Sequence, residues 1–185
     1  MSETIEQTQE WVPKNNPWLI IMPVMIATFM YALDETVANV ALPHIAGTFS
    51  VSSQESIWVL TSYLMASSII IPMIDFMCKL MGRKNFFMLG VFVFTIASFL
   101  CGIANSIVMI VIARALQGFG GGCLMPMAQA VCMESFKGEA RNKAMAIFGL
   151  VVIIAPIIGP VMGGYITENW LEHRAAFAHT HQGIE

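Results

Sequence analysis

Two kinds of charged side chain stand inside apolar stretches of this sequence, where charges are costly and usually functional. Asp34 and Glu35 interrupt one apolar segment, and Arg114 lies near the start of another. A carboxylate held away from water can exchange a proton or attract a cation. An arginine stays charged at any working pH and needs a carboxylate or several carbonyl groups as partners. The carboxylates are therefore candidates for proton exchange or for binding a cationic ligand; a purely structural contact between helices is the alternative.

Small residues accompany both charges at helical spacing. Asp34 shares one side of a helix with Ala38, and Arg114 shares one with Gly118. Small residues let neighbouring helices approach closely, so both charges are expected at a helix contact or beside a cavity. Glu35 points about 100° away from Asp34. It can therefore do the same job or face a different neighbour.

The last apolar segment carries a different pattern. Ala155, Gly159 and Gly163 recur every four residues and form a smooth stripe that another helix backbone can approach. Pro156 and Pro160 each remove a backbone donor and bend the helix. A bent helix with a smooth face suits two helical bundles that rock against each other, and a plain packing kink is the alternative.

Five apolar segments must position these residues. Each is long enough to cross a hydrocarbon core of ~30 Å as a helix. The sequence is 57% apolar and 11% charged, which excludes an ordinary soluble domain, and strand-like alternation is absent. We predict an all-α, multi-pass membrane bundle over residues 17–168, between a cytoplasmic tail (1–16) and a polar tail (169–185). The five helices are placed at about 18–42, 57–77, 86–104, 107–133 and 144–166.

The basic residues of the loops predict the orientation. Six of them lie between the second and third segments and between the fourth and fifth: Lys79, Arg83, Lys84, Lys137, Arg141 and Lys143. The other two loops contain no Lys or Arg. Basic loops stay on the cytoplasmic side, so we expect these two loops and the N-terminus to face the cytoplasm from the cell inner membrane.

The first basic loop has local features of its own. Asp75 and Lys79 are four residues apart, with the acid first, which favours an ion pair that supports the helix. Gly82 is expected to make the turn. Arg83 and Lys84 are expected to meet lipid headgroups or an acidic partner.

Other functions find little support in the sequence. The net charge of −3 excludes a strongly basic nucleic-acid binder. Four cysteines lack paired spacing and are interpreted as small apolar packers, so we expect no metal and no cofactor. Neither a nucleophile elbow nor a phosphate loop occurs, so an enzyme is not expected. Fifteen methionines would suit an adaptable pocket or simple gap-filling.

Three segments together resemble the major facilitator superfamily, and within it the EmrB/QacA-type multidrug:proton antiporters. Residues 33–43 are similar to the first-helix motif of that group, with four matching polar or kinking positions: Asp34, Thr36, Asn39 and Pro43. The fourth-helix motif R-x-x-Q-G-x-G is matched by Arg114, Gln117, Gly118 and Gly120. The fifth-helix antiporter motif G-P-x-x-G-G is matched by Gly159, Pro160, Gly163 and Gly164.

The resemblance implies proton-driven export of drugs or other amphipathic small molecules. It implies that Asp34 and Arg114 help to couple protons to substrate within the lipid bilayer. In Gram-negative relatives such a pump works with a periplasmic adaptor and an outer-membrane channel, so an adaptor is carried here as a candidate partner.

Two departures from the family pattern stand out. In the basic loop Asp75 takes the place of the family's first glycine and Lys79 takes the place of its aspartate, whereas Gly82, Arg83 and Lys84 remain. The family also has many more helices than the five counted here, so we interpret the chain as a truncated antiporter. The alternative is a non-transporting fragment or subunit that needs a complementary membrane chain.

Overall fold

The computed structural model describes the backbone of residues 17–182 and the side chains of residues 18–165. Within this part of the chain there are six α-helices and no strand. Their bounds are α1 Pro17–Phe49, α2 Ser53–Met81, α3 Arg83–Gly102, α4 Ile107–Gly121, α5 Leu124–Ser135 and α6 Gly138–Gln182. The expected tail 1–16 lies outside the described residues, as do the side chains of the expected tail 169–185.

Five stretches of these helices are long and apolar enough to cross a membrane, with α4 and α5 together forming the fourth. The predicted all-α, multi-pass membrane class is therefore confirmed. The helices are longer than the apolar segments. For example, α1 runs on to Phe49, and α6 begins at Gly138 and continues to Gln182. A helix can continue beyond the hydrocarbon because it makes its backbone hydrogen bonds within itself, in lipid and in water alike.

Polar side chains fix where several helices begin. Ser52 and Glu55 form a capping box at the start of α2, in which each side chain accepts a hydrogen bond from the other residue's backbone N–H. The Ser106 hydroxyl accepts from the Met109 backbone N–H at the start of α4. Gly82 joins α2 to α3 with φ of +81°, a conformation that L side chains rarely adopt.

The fourth span is not one unbroken helix. The sequence predicts a single helix over 107–133, whereas the structure interrupts it between Gly121 and Leu124. Glycine weakens a helix by about 1 kcal/mol relative to alanine, and three glycines in succession, Gly120 to Gly122, lead into the break, with Gly122 inside it. Local hydrogen bonds continue across it, from Gly122 N–H to the Gly118 carbonyl and from Met127 N–H to the Cys123 carbonyl.

The glycines of α4 set its distance from α2 and α3. A Cβ atom at Gly118 would overlap the Tyr63 carbonyl oxygen of α2. A Cβ atom at Gly120 would lie 2.6 Å from the Phe94 backbone nitrogen of α3. The Ser67 hydroxyl of α2 donates a hydrogen bond of 3.3 Å to the Gly118 carbonyl. Close backbone approach through small residues is how membrane helices associate without a hydrophobic driving force.

Two apolar clusters fill the bundle. The first lies between α1, α5 and α6, and includes Ile21, Cys132 and Phe148. The second lies between α3 and the α4–α5 junction, and includes Phe94 and Cys123. Cys123 and Cys132 are fully buried within these clusters, as expected of small apolar packing residues.

We predict that Gly118→Leu lowers the free energy of unfolding in detergent by at least about 2 kcal/mol, because α2 must move away from α4. Thermal or denaturant unfolding of the purified chain measures this. Gly149→Ala is the control, since nothing lies within 4 Å of its added Cβ atom and alanine favours the helix. Equal stability of the two variants would contradict close α2–α4 packing at Gly118.

Candidate functional site

The centre of the candidate site is an ion pair between α1 and α4. The Nη1 atom of Arg114 lies 2.7 Å from the Oδ2 atom of Asp34 and donates a hydrogen bond to it. The side chains are 10% and 23% exposed, respectively. Asp34 is one residue from the midpoint of α1, so the pair lies deep within the span. The structure thus brings together the two charges that the sequence marks in separate segments.

Arg114 keeps hydrogen-bonding capacity beyond this pair. Its Nε atom is buried and has no hydrogen-bond partner among the residues described. A guanidinium carries five N–H groups in a fixed fork, so one contact with a carboxylate leaves donors for a second acceptor. Arg114 is therefore held by Asp34 but keeps a buried N–H donor, at Nε, that has no partner among the described residues.

Gln117, one turn beyond Arg114 on α4, extends the polar layer to α3. Its side chain is fully buried and donates a hydrogen bond of 2.7 Å to the Ser98 hydroxyl. Its Oε1 atom accepts from the Cys101 thiol at 3.9 Å. Because a buried amide needs partners for both its donor and its acceptor, Gln117 fixes α3 against α4. Both the amide nitrogen and the amide oxygen of Gln117 therefore have partners within this bundle.

Glu35 has a different environment from Asp34. Its side chain is exposed, and no ion pair of its carboxylate occurs among the described residues. Its backbone carbonyl accepts a hydrogen bond of 2.9 Å from the Asn39 side chain, one turn further along α1. The structure therefore does not join Glu35 to the Asp34–Arg114 pair, although the two carboxylates are adjacent in the chain.

Two motif residues, Thr36 of α1 and Gly159 of α6, meet at a tight helix contact. The Thr36 hydroxyl donates to the Leu33 carbonyl at 2.8 Å, and the same hydroxyl lies against Gly159, where a Cβ atom would overlap it. Gly163 faces Val37. The helix that approaches the smooth stripe of α6 is therefore α1. Three further motif positions pack less tightly: Pro43 and Pro160 are exposed, and a Cβ atom added at Gly164 would meet nothing within 4 Å.

The basic loop is tied to the end of α5. Arg83 forms an ion pair with Glu134, in which both side chains are more than half exposed. The expected Asp75–Lys79 pair does not form; both side chains are exposed, and water screens exposed charges enough to remove the gain from pairing. Lys84 is exposed as well.

Four contact residues of the site were not assigned a role from the sequence: Ser98, Glu134, and the two tyrosines Tyr31 and Tyr63, whose ring centroids lie 6.4 Å apart. Ser98 and Tyr63 look like ordinary polar residues within apolar helices, and nothing in the sequence assigns them a partner. Glu134 carried a usable signal, because it is an acid at the end of a span next to a basic loop.

These observations define a class of protein. A bundle of membrane-spanning helices with an ion pair deep in its interior and glycine-rich helix crossings is typical of a membrane transporter. Residues 24–179 match the Major Facilitator Superfamily, which is most of the chain. The chain belongs to this family and is a multi-pass membrane protein.

Several curated relatives are export or resistance proteins. The chain is 38% identical over 164 residues to the multidrug export protein EmrB of Escherichia coli, covering 88% of this chain and 32% of that protein. It is 38% identical over 151 residues to the fatty acid resistance protein FarB of Neisseria gonorrhoeae, covering 82% and 30%. It is 40% identical over 154 residues to the multidrug transporter protein MdtP of Bacillus subtilis, covering 82% and 28%. The chain thus spans about a third of the length of these relatives.

We predict strong coupling between Asp34 and Arg114 in a double-mutant cycle. Asp34→Asn leaves a buried guanidinium without a counter-charge, and Arg114→Gln leaves a carboxylate unpaired, so each should lower stability by about 2–3 kcal/mol. The double variant should lose at least about 1 kcal/mol less than the sum of the single losses. The free energy of unfolding in detergent is measured for the unchanged chain, the two single variants and the double variant. Additive losses would contradict a direct contact between the two side chains.

Proposed function

We propose that this chain forms part of a proton-coupled exporter of drugs or other amphipathic small molecules. The observation that carries the proposal is the Asp34–Arg114 pair, buried near the middle of α1 and α4. The names of two relatives, multidrug export protein and multidrug transporter protein, support the substrate class. Transport of a compound rather than its chemical conversion agrees with membership of the family.

The proposed coupling follows from the charges of the pair. Protonation of Asp34 removes its negative charge, whereas Arg114 remains positive, so the attraction between α1 and α4 weakens. The unpartnered Nε of Arg114 can then hold another acceptor. Because the two residues lie on different helices, the protonation state would bias how those helices pack. Two packings of unequal proton affinity are what a proton gradient needs to drive a conformational cycle.

We propose that the transport pathway is completed by further helices. Glu35 is exposed near the middle of α1, and a charge at that depth is tolerated where it faces water or protein rather than lipid. The tight α1–α6 contact at Gly159 provides one rigid wall. The other wall would come either from the same polypeptide or from a complementary membrane chain. In the second case this chain alone is a non-transporting subunit, which is the alternative proposal.

The proposed location is the cell inner membrane with the N-terminus in the cytoplasm. The basic side chains of the α2–α3 and α5–α6 connections support this orientation, because Arg83 and Glu134 bring those two connections to the same end of the bundle. A periplasmic adaptor would then contact the opposite end.

We predict that Asp34→Asn abolishes proton-driven export and leaves the protein folded. The measurement uses a chimera in which residues 24–165 of this chain replace the matching part of the Escherichia coli relative. Efflux of a fluorescent substrate is followed in inverted membrane vesicles with an imposed proton gradient. Glu139→Gln is the control, since this carboxylate is 85% exposed and pairs with Lys143 at the surface. Normal efflux by Asp34→Asn would remove Asp34 from the coupling mechanism.

A second experiment separates the exporter from the subunit proposal. We expect vesicles that contain the purified 185-residue chain alone to show no substrate transport, because one bundle lacks the opposite wall. We also expect a second membrane protein to co-purify with the chain from its native membrane if the subunit proposal holds. Transport by the chain alone would disprove the need for further helices.

A further inference from the structure

We propose that a cleft between the end of α5 and the start of α6 binds the headgroup of an anionic phospholipid, with Arg141 as the main contact of the lipid phosphate. The cleft lies outside the Asp34–Arg114 site. The inference therefore does not rest on the exporter proposal.

The cleft has a volume of about 510 Å³ and is lined by residues of both helices. Met133 belongs to α5, whereas Gly138, Arg141, Asn142 and Met145 belong to α6. The four α6 residues are three or four positions apart from one another or adjacent, so they share one face of that helix. Small-molecule sites have volumes of about 300–1,000 Å³, so the cleft is large enough to hold a lipid headgroup.

The charge of the cleft is not neutralised by the protein. Arg141 lines it and has no ion pair among the described residues. The carboxylates on the same two helix ends have other partners. Glu134 of α5 pairs with Arg83, and Glu139 of α6 pairs with Lys143. The cleft therefore presents a positive charge, which favours an anionic ligand.

The two polar side chains of the cleft suit a phosphate group. A guanidinium presents a planar fork of N–H donors that matches two phosphate oxygens at once. The side-chain amide of Asn142, the next residue, supplies further N–H donors. Neither Arg141 nor Asn142 makes a side-chain hydrogen bond to any other residue that the structure describes. Both are therefore available to a ligand.

The position of the cleft and its apolar lining favour a lipid over free phosphate. The fourth membrane-spanning stretch ends at Ser135 and the fifth begins at Gly138, so the cleft lies where lipid headgroups are found. Met133, in the cleft, is 39% exposed. Ile153 lies three helical turns beyond Asn142 on the same side of α6 and is 63% exposed. A lipid can place its phosphate at the cleft and its acyl chain along this apolar surface.

The test measures lipid binding to the purified 185-residue chain by native mass spectrometry from detergent. Dioleoylphosphatidylglycerol is compared with dioleoylphosphatidylcholine, which has the same acyl chains and a headgroup without net charge. We expect the phosphatidylglycerol to bind more tightly. Arg141→Gln should weaken its binding by about tenfold, because the charge-assisted hydrogen bonds to the phosphate are lost. Arg141→Lys should retain part of the affinity, since it keeps the charge and loses the fork.

Lys143→Gln is the matched control. It removes the same charge two positions further along α6, from a side chain that does not line the cleft and that pairs with Glu139 at 3.2 Å. We expect this variant to bind phosphatidylglycerol as tightly as the unchanged chain. Arg141 and Lys143 are both exposed, so both substitutions should leave the bundle folded. Circular dichroism of each variant checks the helix content.

Three results would overturn the inference. Equal binding of the two lipids would show that the headgroup charge is not recognised. Equal losses in Arg141→Gln and Lys143→Gln would show that surface charge, and not the cleft, attracts the lipid. Displacement of phosphatidylglycerol by an equal concentration of ammonium phosphate would assign the cleft to free phosphate. None of these measurements uses a proton gradient or a transported compound, so they leave the exporter proposal to its own tests.

Discussion

A single ion pair in the low-dielectric interior constrains how the bundle is arranged. Arg114 cannot lose its charge, and a lone guanidinium within a membrane span is unfavourable, so α4 must stay where Asp34 of α1 reaches it. The contact of 2.7 Å joins two residues that are 80 positions apart in the chain. This contact constrains the register of α1 against α4, whereas the Ser67–Gly118 and Gln117–Ser98 hydrogen bonds hold α4 against α2 and α3.

Close backbone packing holds α4 against α2. Gly118 lies one turn beyond Arg114, and its missing side chain lets α2 approach α4 until Tyr63 and Ser67 contact it. Gln117 lies between Arg114 and Gly118 in the sequence, and its side chain donates a hydrogen bond to Ser98 of α3. The motif of residues 114–120 thus supplies a charge that meets α1, an amide that meets α3 and a position without a side chain that α2 approaches. Substitution of any one of these residues would disturb a contact with a different helix.

Asp34 and Glu35 have different environments although they are adjacent in the chain. Adjacent residues on a helix point about 100° apart, so one carboxylate meets Arg114 and the other stays exposed. The paired group is suited to coupling because any change in its charge is felt by a second helix. Two identical chemical groups thus have different surroundings because of helix geometry alone.

The sequence alone determined the class of fold and the family, because five apolar segments, their basic loops and three ordered motifs are local features that need no knowledge of packing. It also located the charges inside the spans. It could not reveal the break between Gly121 and Leu124, the Arg83–Glu134 pair, or the meeting of Tyr31 with Tyr63. Those features depend on which faces of distant segments come together, and helical periodicity gives the direction of a side chain but not the identity of the helix it meets. Tertiary structure alone decided that Asp34 has a partner in Arg114 and that Glu35, one residue further on, has no ion-pair partner within the described residues.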